Sequence, residues 1–173
     1  HHGSDIIGRR LCFMADKHIS ATVTKSGRII HDPALCRGCR ICETACSLLH
    51  EGACGAHLSR IHIVPDDLAL EFPGFVCRQC DYPSCYYACP KKDKALRIDE
   101  STGARYIDQG ECAHCGSCEQ ACPFTPSLIW VRDDTPEKTY YKCDLCKGRE
   151  EGPLCVEVCP RGALSYRRGG ERR

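Results

Sequence analysis

Long hydrophobic runs are missing from this sequence of 173 residues. No run approaches the roughly 18 apolar residues that a membrane-spanning helix requires, so we expect no membrane span. The N-terminus also lacks the apolar segment of a secretory signal peptide. We therefore expect a cytoplasmic protein, in a reducing compartment where cysteines bind metals more often than they form disulfides.

Large apolar side chains are also scarce. The hydrophobic share of 42% includes 18 cysteines, and the aromatic residues are four Phe, seven Tyr and one Trp. An aliphatic core would be thin for this length, so something other than apolar burial must help to hold the fold. The 24 basic and 23 acidic residues balance, which argues against a disordered chain.

The N-terminal residues have the composition of an expression tag. They begin His1-His2-Gly3-Ser4 and precede the only methionine, Met14. We interpret residues 1–13 as a tag and linker, with native sequence from a processed precursor as the alternative. Residues 14–173 are then expected to form a single domain.

Sixteen of the 18 cysteines fall into four groups of four. The first and third groups share the spacing C-x2-C-x2-C-x3-C, while the middle gap widens to four residues in the second group and to eight in the fourth. Cys12 and Cys54 lie outside this spacing, and we expect neither to bind metal. In chain order the groups are Cys36, Cys39, Cys42 and Cys46; Cys77, Cys80, Cys85 and Cys89; Cys112, Cys115, Cys118 and Cys122; and Cys143, Cys146, Cys155 and Cys159.

This spacing predicts four [4Fe–4S] clusters. Three cysteines on a tight loop can converge on one cluster, whereas the fourth begins a helix that leads to a neighbouring cluster, as in two-cluster bacterial ferredoxins. Zinc sites favour two separated cysteine pairs, metallothioneins contain C-x-C pairs that this sequence lacks, and a disulfide framework would not repeat one spacing. A structural zinc-binding adaptor is the remaining alternative from another functional class.

Short strand pairs are expected around the cysteine groups. We predict hairpins that pair 22–24 with 28–30, 95–98 with 105–107, and 128–131 with 138–141, because short β-branched or aromatic runs flank polar turns. A strand over 58–64 and a loop over 65–74 are expected between the first two groups.

These elements predict an α+β, bacterial-ferredoxin-like fold with short hairpins and short helices. Two modules, each with two [4Fe–4S] clusters, would be arranged in tandem or with pseudo-twofold symmetry. The central module would span 75–125, and the outer module would combine 22–65 with 126–166. Spacing alone also permits the first group to pair with the second.

The order of the four spacings, with the longest gap last, resembles the four-cluster electron-transfer subunits of the DMSO reductase type. The run Cys155-Val156-Glu157-Val158-Cys159-Pro160-Arg161-Gly162-Ala163-Leu164 is similar to that family's final motif. The resemblance covers about 23 to 166. It implies a crossed pairing in which each loop takes a distant fourth ligand: Cys36, Cys39 and Cys42 with Cys159; Cys77, Cys80 and Cys85 with Cys122; Cys112, Cys115 and Cys118 with Cys89; and Cys143, Cys146 and Cys155 with Cys46.

A narrower resemblance concerns the first group. The runs Cys36-Arg37-Gly38-Cys39-Arg40-Ile41-Cys42-Glu43, Leu49-His50-Glu51-Gly52 and Leu58-Ser59-Arg60-Ile61 resemble the small iron–sulfur subunits of tungsten aldehyde oxidoreductases and class II benzoyl-CoA reductases. This resemblance implies a large tungsten- or molybdenum-pterin catalytic subunit as partner, foremost an aldehyde oxidoreductase. An FAD/NAD subunit or a soluble ferredoxin would be the second partner.

Other assignments within electron transfer stay open. The chain could instead serve a benzoyl-CoA reductase, a formate dehydrogenase, a hydrogenase or a DMSO-reductase-like complex. Self-association into a longer relay is a further option, and we expect no nucleic-acid partner.

The same features argue against catalysis by the chain itself. Four thiolate ligands leave no iron of a cluster open to substrate, and the sequence contains no Gly-rich nucleotide-binding fingerprint. Basic residues near the loops could offset the negative charge of the clusters. Their simpler interpretation is a solvated surface: Arg37, Arg40, Arg78, Lys142 and Lys147.

Overall fold

A computed structural model describes residues 25–134 and 136–170. The predicted tag, Cys12 and the predicted strand 22–24 lie outside these residues. Among the described helices, none is long and apolar enough to cross a bilayer.

The strands are all short and form two-stranded antiparallel sheets. Within the described residues there are four such sheets, which pair β1 with β8, β2 with β3, β4 with β5, and β6 with β7. The strands are β1 (Arg28–His31), β2 (Ile61–Ile63), β3 (Gly74–Val76), β4 (Leu96–Ile98), β5 (Arg105–Ile107), β6 (Trp130–Arg132), β7 (Thr139–Tyr141) and β8 (Leu164–Arg167).

Each helix carries the third cysteine of a group; α1 also carries the fourth, and the other three helices end one or two residues before it. Helix α1 packs against α4, and α2 packs against α3. A single 3-10 turn at Ala56–Leu58 follows α1. The helices are α1 (Ile41–Glu51), α2 (Ser84–Ala88), α3 (Ser117–Gln120) and α4 (Leu154–Glu157).

Two of the predicted hairpins are confirmed. Strands β4 and β5 pair Leu96 with Ile107 across a turn in which the Asp99 carboxylate accepts hydrogen bonds from the backbone and hydroxyl of Thr102. Strands β6 and β7 pair Trp130 with Tyr141. The predicted strand within 58–64 is also present as β2, and its partner β3 begins where the predicted loop ends.

The partner of β1 is one that the sequence did not indicate. Strand β1 pairs with β8 near the other end of the chain, with Ile29 opposite Tyr166. The pairing continues beyond the strands, because the backbone N–H of Asp32 donates to the carbonyl of Ala163 at 2.8 Å. Ile29 and Leu164 are both buried in this sheet. The pairing therefore brings the first and fourth cysteine groups together.

The α+β assignment fits these short helices and hairpins. Helix α1 packs against α4 and α2 packs against α3, while the division into two interleaved modules stays a prediction. Pseudo-twofold symmetry between the modules 75–125 and 22–65 plus 126–166 stays a prediction.

Candidate iron–sulfur sites

Three cavities are each lined by four cysteines, three from one loop and one from a distant helix end. We call these sets quartets and number them by the loop that supplies three members. Quartet 1 is Cys36, Cys39, Cys42 and Cys159; quartet 2 is Cys77, Cys80, Cys85 and Cys122; quartet 3 is Cys112, Cys115, Cys118 and Cys89.

The fourth set, quartet 4, lies where α1 packs on α4. Cys46, Cys143 and Cys155 belong to one buried cluster, and burial raises the pKa of Cys155 far above its usual range. Burial likewise raises the pKa of Cys143. The structure thus brings together the same four sets that the family resemblance implies: quartet 4 is Cys143, Cys146, Cys155 and Cys46. Ligation of a cluster by each quartet stays a prediction.

Left-handed backbone lets each loop wrap around its cavity. Gly38 in the first loop has φ 65° and Gly116 in the third has φ 76°. The Phe72 ring occupies the space that a side chain at Gly38 would need. Glycine at position 38 therefore relieves both the backbone strain and the steric clash.

The buried thiols need a metal to become ligands. Burial raises the pKa of Cys42 and of Cys118 to about 12, with further contributions from Glu43 and Cys112 respectively. Such thiols stay protonated at neutral pH, whereas a metal-bound thiol is deprotonated. The four thiolates of a site are therefore stabilised by the group that they bind.

The charges around the cavities suit an anionic cluster. A [4Fe–4S] cluster with four thiolates carries a net charge of about −2 when oxidised. No Asp or Glu lines the cavities of quartets 1, 2 and 3, whereas basic residues line all three. The basic lining residues are Arg37, Arg40 and Arg161 in quartet 1, Arg78, Arg105 and Lys142 in quartet 2, and Lys91 in quartet 3.

Quartet 4 has a different environment, in which a hydrogen-bond network reaches Cys46. The Cys46 Sγ accepts the backbone N–H of Arg60 at 3.4 Å and lies 3.7 Å from His50 Nδ1. His50 Nε2 is 3.0 Å from Asp144 Oδ1, and Arg60 donates to the other carboxylate oxygen at 3.1 Å. Although burial opposes it, hydrogen bonds to Asp144 and Cys46 raise the pKa of His50 to about 9. This network stabilises the Cys46 thiolate.

The sequence did not indicate two buried residues at quartet 2, Arg105 and Gln79, which are each 1% exposed. A third residue there, Lys142, is 3% exposed. The interpretation of Lys142 as a solvated surface residue is wrong, because the chain immediately before Cys143 is buried between quartets. Arg37, Arg40, Arg78 and Lys147 are exposed, as expected. Strand alternation could have placed Arg105 on the same face of β5 as Ile107.

We predict that Cys42→Ser and Cys118→Ser each lose one cluster, while Cys54→Ser loses none. The first two thiols are buried in quartets 1 and 3, whereas Cys54 is exposed. Iron and acid-labile sulfide per chain, measured after purification, should fall by about a quarter in either quartet variant. Full iron in the Cys42 or Cys118 variant would remove that residue from the ligand set.

Comparisons with known proteins agree with this chemistry. The 4Fe-4S dicluster domain family matches residues 68–168. The chain is 40% identical over 132 residues to the aliphatic sulfonate oxidoreductase, polyferredoxin-like subunit of Pyrococcus furiosus, covering 76% of this chain and 70% of the relative. It is 33% identical over 156 residues to the electron transport protein HydN of Escherichia coli, covering 79% and 85%.

Further relatives belong to other enzymes. The chain is 35% identical over 140 residues to the NADH-dependent phenylglyoxylate dehydrogenase subunit beta of Aromatoleum evansii, covering 80% of this chain and 29% of the relative. A solved structure of the active site complex BamBC of benzoyl coenzyme A reductase is 28% identical, with a TM-score of 0.48, and the match covers 84% of this chain and 81% of that chain.

Proposed function

The chain belongs to the 4Fe–4S dicluster family of electron-transport subunits, and on that premise we propose that it relays single electrons between the active site of a large oxidoreductase subunit and a second electron carrier. It carries four [4Fe–4S] clusters and has no catalytic role of its own. The sixteen cysteines of the four quartets are the proposed ligands.

One observation carries this proposal: the quartets lie in series. Helix α2 carries Cys85 of quartet 2 and ends directly before Cys89 of quartet 3, while α1 carries both Cys42 of quartet 1 and Cys46 of quartet 4. Lys142 lines the cavity of quartet 2 and directly precedes Cys143 of quartet 4. The order of the series is therefore quartet 3, quartet 2, quartet 4 and quartet 1.

Only the end quartets have an exposed cysteine among the described residues. Cys39 is exposed in quartet 1 and Cys115 in quartet 3, whereas every cysteine of quartets 2 and 4 is buried or half-buried. Electrons would enter at one end and leave at the other. An unbranched series of sites with an accessible site at each end suits a relay between two partners.

For the partners we propose a large tungsten- or molybdenum-pterin subunit at one end, foremost an aldehyde oxidoreductase. A flavin subunit or a soluble ferredoxin would bind at the other end. The resemblance of the first-group sequence to tungsten-enzyme subunits supports this choice. The relatives are named for different oxidoreductases, so the substrate belongs to the partner rather than to this chain.

Purification with the native partners tests this function. The proposal predicts a brown chain with about 16 iron atoms that co-purifies with a subunit containing tungsten or molybdenum. Addition of that subunit's substrate should bleach the visible absorption of the chain. A colourless chain with stoichiometric zinc would establish the structural adaptor instead.

A further inference from the structure

Two buried cations lie beside quartet 2. Both Lys142 and Arg105 line its cavity, and they are 3% and 1% exposed. Within the described residues, neither forms a salt bridge with a carboxylate. Burial of an unpaired charge is costly, so an anion is needed nearby.

Hydrogen bonds hold the two cations in place. The Lys142 ammonium donates to the backbone carbonyl of Arg105 at 2.6 Å. The Gln79 side chain accepts the backbone N–H of Arg105 at 2.8 Å and donates to the carbonyl of Cys143 at 2.7 Å. Gln79 thus links the cation pair to the first cysteine of quartet 4.

The guanidinium of Arg105 is left with unused donors. Its Nε and Nη2 atoms are buried and have no hydrogen-bond partner among the described residues. Asp81 acts on Arg105 electrostatically, but it is exposed and forms a salt bridge with Arg28 at 3.4 Å. The donors therefore suit the negative group that quartet 2 would hold.

Both side chains present only donors beside this cavity. A lysine ammonium and an arginine guanidinium carry several N–H donors and no acceptor, and an arginine side chain stays protonated in proteins. Together they place positive charge beside quartet 2.

The other quartets have no comparable charge. In quartet 1, Arg37 and Arg40 are exposed, and Arg40 pairs with Glu43 at 2.7 Å. In quartet 3, Lys91 is exposed. Exposed charges act through water, which screens them far more than the protein interior does.

A buried carboxylate adjoins quartet 4. Asp144 is 6% exposed, directly follows Cys143, and forms salt bridges with His50 and Arg60. Lys142 also adjoins Cys143, but no Asp or Glu lines the cavity of quartet 2, so the positive charge is not offset by a carboxylate there.

We propose that the Lys142–Arg105 pair raises the reduction potential of the quartet-2 cluster, so that this centre is the first of the four to accept an electron. The proposal rests on the relay function given above. One electron arrives from a neighbouring centre and adds one negative charge to the cluster, while no bond forms or breaks and no proton moves. A buried positive charge favours the more negative state. The electron is thus held in the interior of the relay.

A redox titration followed by EPR tests this assignment. In the wild-type chain, the first signal on reduction should be the one that Cys80→Ser alters, since Cys80 belongs to quartet 2. In Lys142→Met, the reduced-to-oxidised ratio of that centre at the wild-type midpoint should fall at least tenfold, or about 59 mV for one electron. Lys147→Met is the matched control, because Lys147 is an exposed lysine five positions along the chain, and it should leave the midpoint unchanged.

Arg105→Met provides a second variant and should shift the same midpoint in the same direction. Iron content shows whether each variant has assembled its clusters. An unshifted quartet-2 midpoint in a variant with about 16 iron atoms would overturn the proposal and leave the relay intact. So would a wild-type titration in which another centre is reduced first. A wild-type chain without cluster signals would instead overturn the relay function itself.

Discussion

Deletion of residues 143–173 is expected to empty quartets 1 and 4 while quartets 2 and 3 stay loaded. The deletion removes Cys159, which completes the cavity of quartet 1, and three cysteines of quartet 4. It also removes β8, the partner of β1. Quartets 2 and 3 draw all their cysteines from 77–122, so iron per chain should fall from about 16 to about 8.

A shorter deletion and a point variant control for general loss of folding. Deletion of 171–173 removes no cysteine and should keep full iron. Cys159→Ser leaves β8 in place and should damage quartet 1 alone. If the long deletion kept a fully ligated quartet 1, the crossed pairing would be wrong, and the first group would pair with the second.

Chelation of the iron under reducing conditions is expected to unfold most of the chain. Eight of the 22 buried apolar side chains in the described residues are cysteines, so the quartets form a large part of the core. Helices α2, α3 and α4 have five, four and four residues, and every sheet within 25–134 and 136–170 has two strands. Helices and sheets this small are marginal in water without further support.

Far-UV circular dichroism and hydrogen exchange would measure this unfolding. The chelated chain should lose its cooperative thermal transition and its binding to the large subunit, and iron plus sulfide should restore both. Metal binding and folding are coupled in this way in small metal-bound domains. A chelated chain that kept a cooperative transition would show that the aliphatic residues suffice.

The convergence of three cysteines within each loop was predictable, because the repeated spacing determines the local geometry. A tight loop with two residues between successive cysteines can place three sulfurs on one side, and the helix that follows carries the next cysteine away. The membership of each quartet needed the family resemblance, since spacing alone also allowed the first group to pair with the second. Hairpins β4–β5 and β6–β7 were predictable from their turns, which lie within a few residues of each strand.

The pairing of β1 with β8 was not predictable, because no turn joins two strands at opposite ends of the described chain. Burial of Lys142 was missed for a similar reason. A lysine beside a loop is usually solvated, and only the packing of quartet 2 against quartet 4 places this one inside. Arg105 lies on the buried face of β5, beside the cavity of quartet 2. A charged residue is normally expected at the surface, so the sequence did not indicate that it is buried.

The β1–β8 pairing also sets an order for biogenesis. During synthesis on a ribosome, the cysteines at 77–122 emerge before Cys143, Cys155 and Cys159. The assembly machinery can therefore complete the two central centres on a nascent chain, whereas the outer two must wait for strand β8 to close on β1. Because the first group is synthesised first and its quartet is completed last, its thiols wait longest for a full set of partners.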